Sequence, residues 1–418
     1  MKDQLKNVPV RKLLVYLRLD GLSGICTLAA LLSRNRRRAV ASPQAHPSKK
    51  MKVTDRSTED AFTAKDEQGT TLRVHGVRLI GLTDRDSSVM KVSAGEQAMW
   101  DPVVNTFRAF GEWQDVSLNA GVSVVPEHSY AETIINMAHQ DTADLLLLPW
   151  GESGTLTDRQ NGLQVDNTSR FANGPYTDFV RKILERISHN VGILVEQNPE
   201  PRSIKRPLTQ HSTGDLSINS FLSHPASETG ARHVVFPFFG GDDDCLALRF
   251  VLQMAQNDQV TATIIRLAGL EQNMQNTGPS TGTAPCGASS STSSTQADII
   301  FFETMRESLP RDLQDRVIFQ QAGADETIKN SIDLALAAVK QDLEQAVNGC
   351  STIVVVGRRI GHKDTRPAVD LGLQSIGTET QQALGPVASA ILQAENMVST
   401  SLLVFQAGVS SDLADNYR

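Results

Sequence analysis

Residues 232–252 read RHVVFPFFGGDDDCLALRFVL and predict a strand, a tight glycine turn and a helix in immediate succession. The apolar run ending at Phe239 is typical of a strand in a parallel sheet that is covered on both faces. Gly240 and Gly241 permit backbone angles that a side chain would resist. The aspartates at 242–244 can cap the first helical turn and oppose its positive dipole end. An apolar stripe at helical spacing follows.

The same alternation of strand and helix extends along the chain. Ten strands are predicted, at residues 12–19, 71–83, 116–125, 143–150, 190–196, 233–239, 260–267, 316–321, 352–357 and 400–406. Helices are predicted at residues 20–33, 100–113, 129–140, 176–188, 242–256, 298–308, 325–347 and 384–394. Ser129 is expected to cap the third of these, with Glu132 at the capping-box position. Alternation of this kind implies right-handed parallel crossovers.

The predicted fold class is α/β, with two tandem doubly wound, mainly parallel sheets joined by a flexible linker. The expected organisation is a leader at 1–11, a first domain at 12–197, a linker at 198–230, a second domain at 231–408 and a tail at 409–418. Residues 34–69 are expected to form a basic disordered insertion in the first domain. Residues 271–296 are rich in Ser, Thr and Gly and are expected to form a low-complexity insertion in the second.

Bulk composition argues against several classes of protein. The 418 residues are 40% apolar and 21% charged, which is ordinary for a globular protein. No apolar run approaches the roughly 18–20 residues of a membrane helix, so we do not expect this chain by itself to conduct ions. Four widely separated cysteines predict reduced thiols rather than a disulfide framework or a zinc site.

Charge is distributed unevenly along the chain. The first 60 residues carry 13 Lys and Arg against 5 Asp and Glu, a net of +8, whereas the whole chain carries −7. Two interpretations of this basic excess remain open: a solvated linker, or a segment attracted to anionic lipid. Nucleic-acid binding is not predicted, because no aromatic platform accompanies the charges. The residues at the centre of the basic excess are Arg34, Arg36, Arg37 and Arg38.

Ligands of open parallel sheets bind beyond the carboxyl ends of the strands, where the strand order reverses. This rule selects residues 240–244 and 357–361 in the second half, with 20–24 and 150–154 as their counterparts in the first. The two arginines after the predicted strand at 352–357 can hold an anion, oppose the aspartates across the cleft, or lie in a solvated loop. The candidate ligand-binding residues are Gly240, Gly241, Asp242, Gly357, Arg358 and Arg359.

This arrangement resembles the universal-stress-protein fold, some members of which bind adenine nucleotides. The resemblance implies a G-x2-G motif after the fourth strand, followed nine residues later by Gly and a hydroxyl residue. Here Gly357 and Gly361 have three residues between them, and Leu373 stands where the hydroxyl is expected. Three aspartates at the helix start would also repel phosphate. Structural capping is therefore preferred, and an adenine nucleotide is retained only as an alternative ligand.

No catalytic or metal-binding set is apparent in the sequence. It contains no nucleophile elbow, no P-loop and no His or Cys at metal-ligand spacing, so we expect neither an enzyme nor a metal site. The histidines are interpreted as structural; those considered are His75, His128, His139, His189 and His233.

Several co-linear segments together resemble the cytosolic C-terminal region of the plant and fungal cation/proton exchangers, which include fungal potassium/proton antiporters. No single segment is specific alone. The matching segments are VHGVRLIGLTDRDSSVM (74–90), SYAETIINMAHQDTADLLLLP (129–149), NVGILVE (190–196), FFGGDDDCLAL (238–248), VVVGRR (354–359), LGPVASAIL (384–392) and SLLVFQ (401–406).

The resemblance implies a cytosolic regulatory or assembly domain of a monovalent-cation/proton antiporter, with potassium as the expected cation and without the ion-translocating membrane domain. It also implies a location at the cytoplasmic face of a membrane, the membrane domain of an antiporter as partner, and self-association as a dimer. The alternative function is a free-standing universal-stress-type protein that binds adenine nucleotide.

Overall fold

The computed structural model describes residues 9–33, 72–81, 99–114, 116–151, 154–156, 174–196, 232–267, 289–322, 331–345, 351–360, 378–394 and 400–408. The predicted linker at 198–230, the basic insertion at 34–69 and the tail at 409–418 lie outside these residues. Residues 271–288 of the predicted low-complexity insertion also lie outside the described residues.

All ten predicted strands are present, with ends that differ from the predictions by a few residues. Apolar runs set their positions, and most are buried on both faces. They are β1 (Lys12–Tyr16), β2 (Arg73–Gly81), β3 (Ser117–Val125), β4 (Leu145–Pro149), β5 (Asn190–Val195), β6 (Arg232–Phe238), β7 (Val260–Leu267), β8 (Val317–Ala322), β9 (Ser351–Gly357) and β10 (Ser401–Gln406).

Helices connect the strands of each half. In the described residues they are α1 (Leu22–Leu32), α2 (Pro102–Gln114), α3 (Tyr130–Gln140), α4 (Pro175–Arg186), α5 (Asp242–Met254), α6 (Ser289–Glu307), α7 (Ser331–Gln345), α8 (Thr378–Leu384) and α9 (Pro386–Gln393).

Three helix predictions need correction. Helix α6 begins at Ser289 rather than 298, so the end of the Ser/Thr-rich stretch is helical. The helix predicted at 384–394 is α9, which begins at Pro386; α8, which ends at Leu384, was not predicted, and Gly385 between the two has a φ of 87°. Ser129 makes no capping hydrogen bond from its side chain, because a 3₁₀ turn at Glu127–Ser129 leads directly into α3.

The strands form one ten-stranded sheet in the order β3-β2-β1-β4-β5-β10-β9-β6-β7-β8. The α/β class with mainly parallel strands is confirmed, and the two halves have the same internal strand order. The prediction of two separate sheets is wrong, because β5 and β10 pair antiparallel and join the halves edge to edge. Every other neighbouring pair is parallel.

The joining pair has a clear physical cause. Strand β5 would be the edge of a first sheet and β10 the edge of a second, and both are almost fully buried apolar strands. An exposed apolar edge leaves unpaired backbone groups and promotes association. Pairing the two edges removes both, with Val404 opposite Ile193 at the centre of the register.

The hydrophobic core has two layers, one on each face of the sheet, and each layer draws residues from both halves. One layer packs α1, α2, α5 and α6 on the sheet, and includes Val15, Val104, Phe236 and Phe250. The other packs α3, α4, α7, α8 and α9, and includes Tyr16, Ile134, Val356 and Ile391. Successive residues of β1 alternate between the two layers, as strand geometry requires.

Polar contacts also cross between the halves. The amide side chain of Gln253 on α5 pairs with the backbone of Val10, accepting at 2.9 Å and donating at 2.8 Å. At the end of β10, Gln406 Nε2 donates to the Leu184 carbonyl at 2.8 Å. Two residues later, the Gly408 amide donates to Asn190 Oδ1 at 3.0 Å. These hydrogen bonds add to the β5–β10 pairing in joining the two halves.

Within the described residues, we find no helix that combines the length and the apolar character needed to cross a membrane.

Truncating Phe405 to Ala should destabilise both halves together. Phe405 is 0% exposed on β10, and its ring centroid lies 4.7 Å from that of Phe250. Loss of a buried phenyl ring costs about 3–5 kcal/mol of unfolding free energy. Urea denaturation followed by circular dichroism should show this loss, with a single transition before and after the substitution.

The matched control is Ile300→Ala on α6, where the side chain is 58% exposed. That change should alter the free energy of unfolding by no more than about 0.5 kcal/mol. Two separate transitions in the wild-type chain would contradict a shared core.

Candidate functional site

The candidate site lies at the carboxyl ends of β6 and β9. Strand β6 has β7 on one side and β9 on the other, so the strand order of the second half reverses here. This is where doubly wound sheets bind ligands. Chain segments after both strands meet at this edge, and the end of β10 lies beside them.

The turn between β6 and α5 requires glycine. Gly240 and Gly241 have φ angles of 100° and 92°, a region that L side chains rarely adopt. The Gly241 amide donates to Asp298 Oδ2 on α6 at 2.9 Å. A Cβ on Gly240 would lie 2.7 Å from the same oxygen. The turn thus brings α6 against the site and directs the first turn of α5 toward β9.

Asp243 forms the strongest contact across the site. Its Oδ2 accepts from Arg359 Nε at 2.8 Å and its Oδ1 from Arg359 Nη2 at 2.6 Å. The amides of Arg359 and Ala407 also donate to this carboxylate, at 3.1 and 2.8 Å. Asp243 is 2% exposed and Arg359 34%. One buried carboxylate therefore ties α5 to the ends of β9 and β10.

Asp244 is fully buried and turns back toward β6. Its Oδ2 accepts from the amides of Phe239 at 2.7 Å and Gly240 at 3.0 Å. Burial raises the pKa of Asp244 well above its ordinary value, and the charge of Asp243 adds to this. The amides of Phe239, Gly240 and Gly357 act in the opposite direction on that pKa.

Because Gly357 has no side chain, the Asp244 carboxylate can occupy the space beside it. A Cβ on Gly357 would collide with Asp244 Oδ1 and approach the Cβ of Asp243. A side chain at 357 is therefore incompatible with Asp244 in its present position.

Arg358 does not point toward a ligand position. Its Nε and Nη2 donate to the carbonyls of Ala383 and Gln382, at 2.9 and 2.6 Å. Its Nη1 donates to Gln406 Oε1 at 2.8 Å. Burial lowers the pKa of Arg358, with Asp243 acting in the opposite direction. Arg358 thus anchors α8 to the ends of β9 and β10.

The structure brings five of the six predicted residues together at this edge: Gly240, Gly241, Gly357, Arg358 and Arg359. Asp242 lies one position away, with an exposed side chain on the first turn of α5. The carboxylates directed inward are those of Asp243 and Asp244, which the sequence analysis placed at this edge but did not include among the candidate ligand-binding residues. Of the three interpretations of the arginines, Arg359 follows the second, because it opposes an aspartate across the cleft.

The first half contains an equivalent ion pair at its own reversal point, between β1 and β4. Arg18 is 1% exposed and donates to Asp20 through Nε at 2.8 Å and Nη2 at 3.1 Å. Its guanidinium lies 4.5 Å from the ring centroid of Tyr176. Burial alone would lower the pKa of Arg18, but the bond to Asp20 and neighbouring charges raise it. Gly151, after β4, lies beside this pair.

Both reversal points are thus filled by an arginine and an aspartate of the chain itself. In the second half, Arg359 already has the buried carboxylate of Asp243 as its counterion, 2.6 Å away. Among the residues that the structure describes, no group of three or more His, Cys, Asp or Glu is arranged to hold a metal ion.

His233 is part of a buried network at the opposite end of the strands. Its ring nitrogens lie 2.8 Å from Thr261 Oγ1 and 2.7 Å from Asp342 Oδ2, and Thr263 donates to Asp342 Oδ1 at 2.9 Å. All four side chains are at most 5% exposed. The network joins α7 to β6 and β7, so His233 has a structural role, as predicted.

Three other histidines that the sequence analysis interpreted as structural lie in the first half, near the amino ends of its strands. His75 pairs with Asp141. The rings of His139 and His189 meet edge to face, with centroids 4.6 Å apart. Burial lowers the pKa of His189, and the nearby His139 lowers it further.

Comparison with known proteins relates the chain to cation/proton antiporters. Residues 74–199 match the family described as Plant cation/H(+) antiporter domain. Cation/H(+) antiporter 18 of Arabidopsis thaliana is 23% identical over 370 residues, covering 83% of this chain and 39% of that protein. Cation/H(+) antiporter 19 of the same plant is 25% identical over 205 residues, covering 47% of this chain and 22% of that protein. The chain therefore spans well under half the length of these relatives.

Among solved structures, a universal stress protein from Archaeoglobus fulgidus DSM 4304 is similar. The two are 11% identical, with 95% of this chain and 96% of that chain covered, and the TM-score is 0.39.

Replacing Asp243 by Asn should weaken the site. The variant removes the counterion of Arg359. It also leaves a single amide oxygen to accept the hydrogen bonds that Arg359 and the Ala407 amide donate to the two carboxylate oxygens in the wild type. Breaking a buried pair costs about 3–5 kcal/mol, and the partial exposure of Arg359 reduces our expectation to about 2–4 kcal/mol. Urea denaturation measures this loss.

Asp242→Asn is the control, since it makes the same change on the adjacent, exposed residue. It should cost less than about 1 kcal/mol. Equal losses for the two variants would show that the contact between Asp243 and Arg359 does not stabilise the chain.

His189 should make the chain sensitive to mild acid. Its pKa is lowered in the folded state, so the unfolded chain binds the proton more readily. The associated stability is fully present above the unfolded pKa of about 6.5 and is lost as pH falls from there through the lower folded pKa. Between about pH 7.5 and 5.5, wild type should lose more stability than His189→Phe. Parallel losses in thermal melts of the two proteins would contradict this.

Proposed function

We propose that this chain is a regulatory or assembly region of a monovalent-cation/proton antiporter, with potassium as the cation. The observation that carries the proposal is the co-linear similarity of 83% of the chain to part of Cation/H(+) antiporter 18. The family match at residues 74–199 supports it independently. Potassium and the regulatory role come from the resemblance of the sequence segments quoted above to exchanger tails.

The proposed mechanism follows from the joined sheet. Relative movement of the halves would break the β5–β10 ladder and open both core layers. The chain therefore acts on a transporter as one body, by contacts that favour one state of the ion-translocating domain. Such contacts shift the transporter only by their differential affinity for its states.

We place the chain at the cytoplasmic face of the transporter's membrane, with the antiporter's membrane domain as its partner. Self-association as a dimer, and attraction of Arg34, Arg36, Arg37 and Arg38 to anionic lipid, belong to the same proposal. The four arginines lie outside the described residues.

We propose no catalytic activity and no resident cofactor for this chain. The alternative, a free-standing protein that binds adenine nucleotide, is less well supported. Each reversal point holds an internal ion pair, Arg18 with Asp20 and Arg359 with Asp243. A nucleotide would have to displace buried contacts at either place.

A chimaera tests the proposal. In vesicles, Cation/H(+) antiporter 18 lacking the region that matches this chain is compared with the same protein carrying this chain in its place. Proton-driven potassium uptake should fall on deletion by about tenfold and recover largely in the chimaera, since coupling energies of 1–3 kcal/mol correspond to about 5–150-fold. Vesicles containing this chain alone should show no flux.

The control chimaera carries Phe405→Ala, which disrupts the joined sheet, and should recover less uptake. Flux from the chain alone, or full activity of the deleted transporter, would overturn the proposal. Calorimetric titration of the chain with ATP and AMP addresses the alternative. Micromolar binding that is lost in Asp242→Ala would favour it.

A further inference from the structure

The two oxygens of the Asp244 carboxylate have different surroundings. Oδ2 accepts two backbone hydrogen bonds, from Phe239 and Gly240. Oδ1 is buried, and no described residue donates a hydrogen bond to it. The Gly357 amide lies close to the carboxylate and favours its charged form, which opposes the rise in the pKa of Asp244. Asp244 is 0% exposed.

The charged groups around Asp244 do not balance an ionised carboxylate there. On its own helix are Asp242, Asp243, Cys245 and the cation Arg249; on the segment after β9 are Arg358 and Arg359; on α6 is Asp298. Asp243 adds repulsion. The hydrogen bonds of Arg359 go to Asp243 and the Ala407 carbonyl, and those of Arg358 to α8 and Gln406.

Protonation resolves this imbalance without moving any atom of the backbone. A proton on Oδ1 removes the buried charge and leaves both amide bonds to Oδ2 in place. Burying an ionised carboxylate without a counterion is so costly that such groups become neutral instead.

We propose that Asp244 is a proton-binding site, occupied at neutral pH through Oδ1 and released as the solution becomes alkaline. Release places a second negative charge beside Asp243, which holds Arg359 and the Ala407 amide. Gly408, the next residue, bonds to Asn190 of the first half. Proton release at Asp244 therefore acts on the joint between the halves. Proton binding stands on this geometry alone; only its use in controlling a transporter rests on the proposed function.

The sign of the pH effect follows from linkage. The folded chain holds this proton more tightly than the unfolded chain, whose Asp titrates near pH 4. The associated stability is complete below that pH and is lost as pH rises through the folded pKa. Asp244→Asn, which cannot ionise, lacks this dependence.

Two measurements on the isolated chain test the proposal. Infrared difference spectra at pH 7 should contain the carbonyl band of a protonated carboxylic acid in wild type, and that band should be missing in Asp244→Asn. Urea denaturation between pH 5 and 9 should show the folded-to-unfolded ratio of wild type falling relative to the variant. The fall should approach tenfold per pH unit below the folded pKa.

The matched control is Asp242→Asn, which should keep both the band and the pH dependence of wild type. A band that persists in Asp244→Asn, or a stability difference between wild type and that variant that is the same at every pH, would overturn the proposal. If Asp244→Asn does not fold, carbon-13 NMR of the wild-type carboxyl groups decides: one aspartate must titrate above pH 7. None of these measurements involves transport, so failure of the chimaera would not affect their outcome.

Discussion

The antiparallel pairing of β5 with β10 is the contact on which the rest of the structure depends. Each half contains a five-stranded sheet with an apolar strand at its inner edge. Neither edge strand would be stable in contact with water, because an unpaired edge would expose its backbone groups and aliphatic side chains together. Once the two edges pair, helices from both halves cover the same faces, and one core layer forms on each side of the sheet.

The residues at the two reversal points make internal contacts, and in the second half these contacts include the strand that joins the halves. In the second half, Asp243 holds the ends of β9 and β10 together, and the end of β10 in turn bonds to α4 and β5. A place where related sheets bind ligands is used here for an internal contact. The Arg18–Asp20 pair fills the corresponding place in the first half. Both reversal points are therefore occupied by charged groups of the chain itself.

Sequence patterns located the strands well because most are short apolar runs, such as LLLLP in β4 and TIVVVG in β9. They could not show that β5 pairs with β10, since residues 190–195 and 401–406 lie about 200 positions apart and carry no mark of their partner. They also missed which aspartate turns inward. Adjacent helical positions differ by about 100°, so a small uncertainty in the helix start decides between Asp242 and Asp243.

The contrast between Asp243 and Asp244 shows how the chain uses two adjacent buried carboxylates. Asp243 accepts hydrogen bonds from a guanidinium and two amides, whereas Asp244 accepts two amide hydrogen bonds on one oxygen and none from the described residues on the other. Burial raises the pKa of Asp244, and the neighbouring charge of Asp243 adds to this shift.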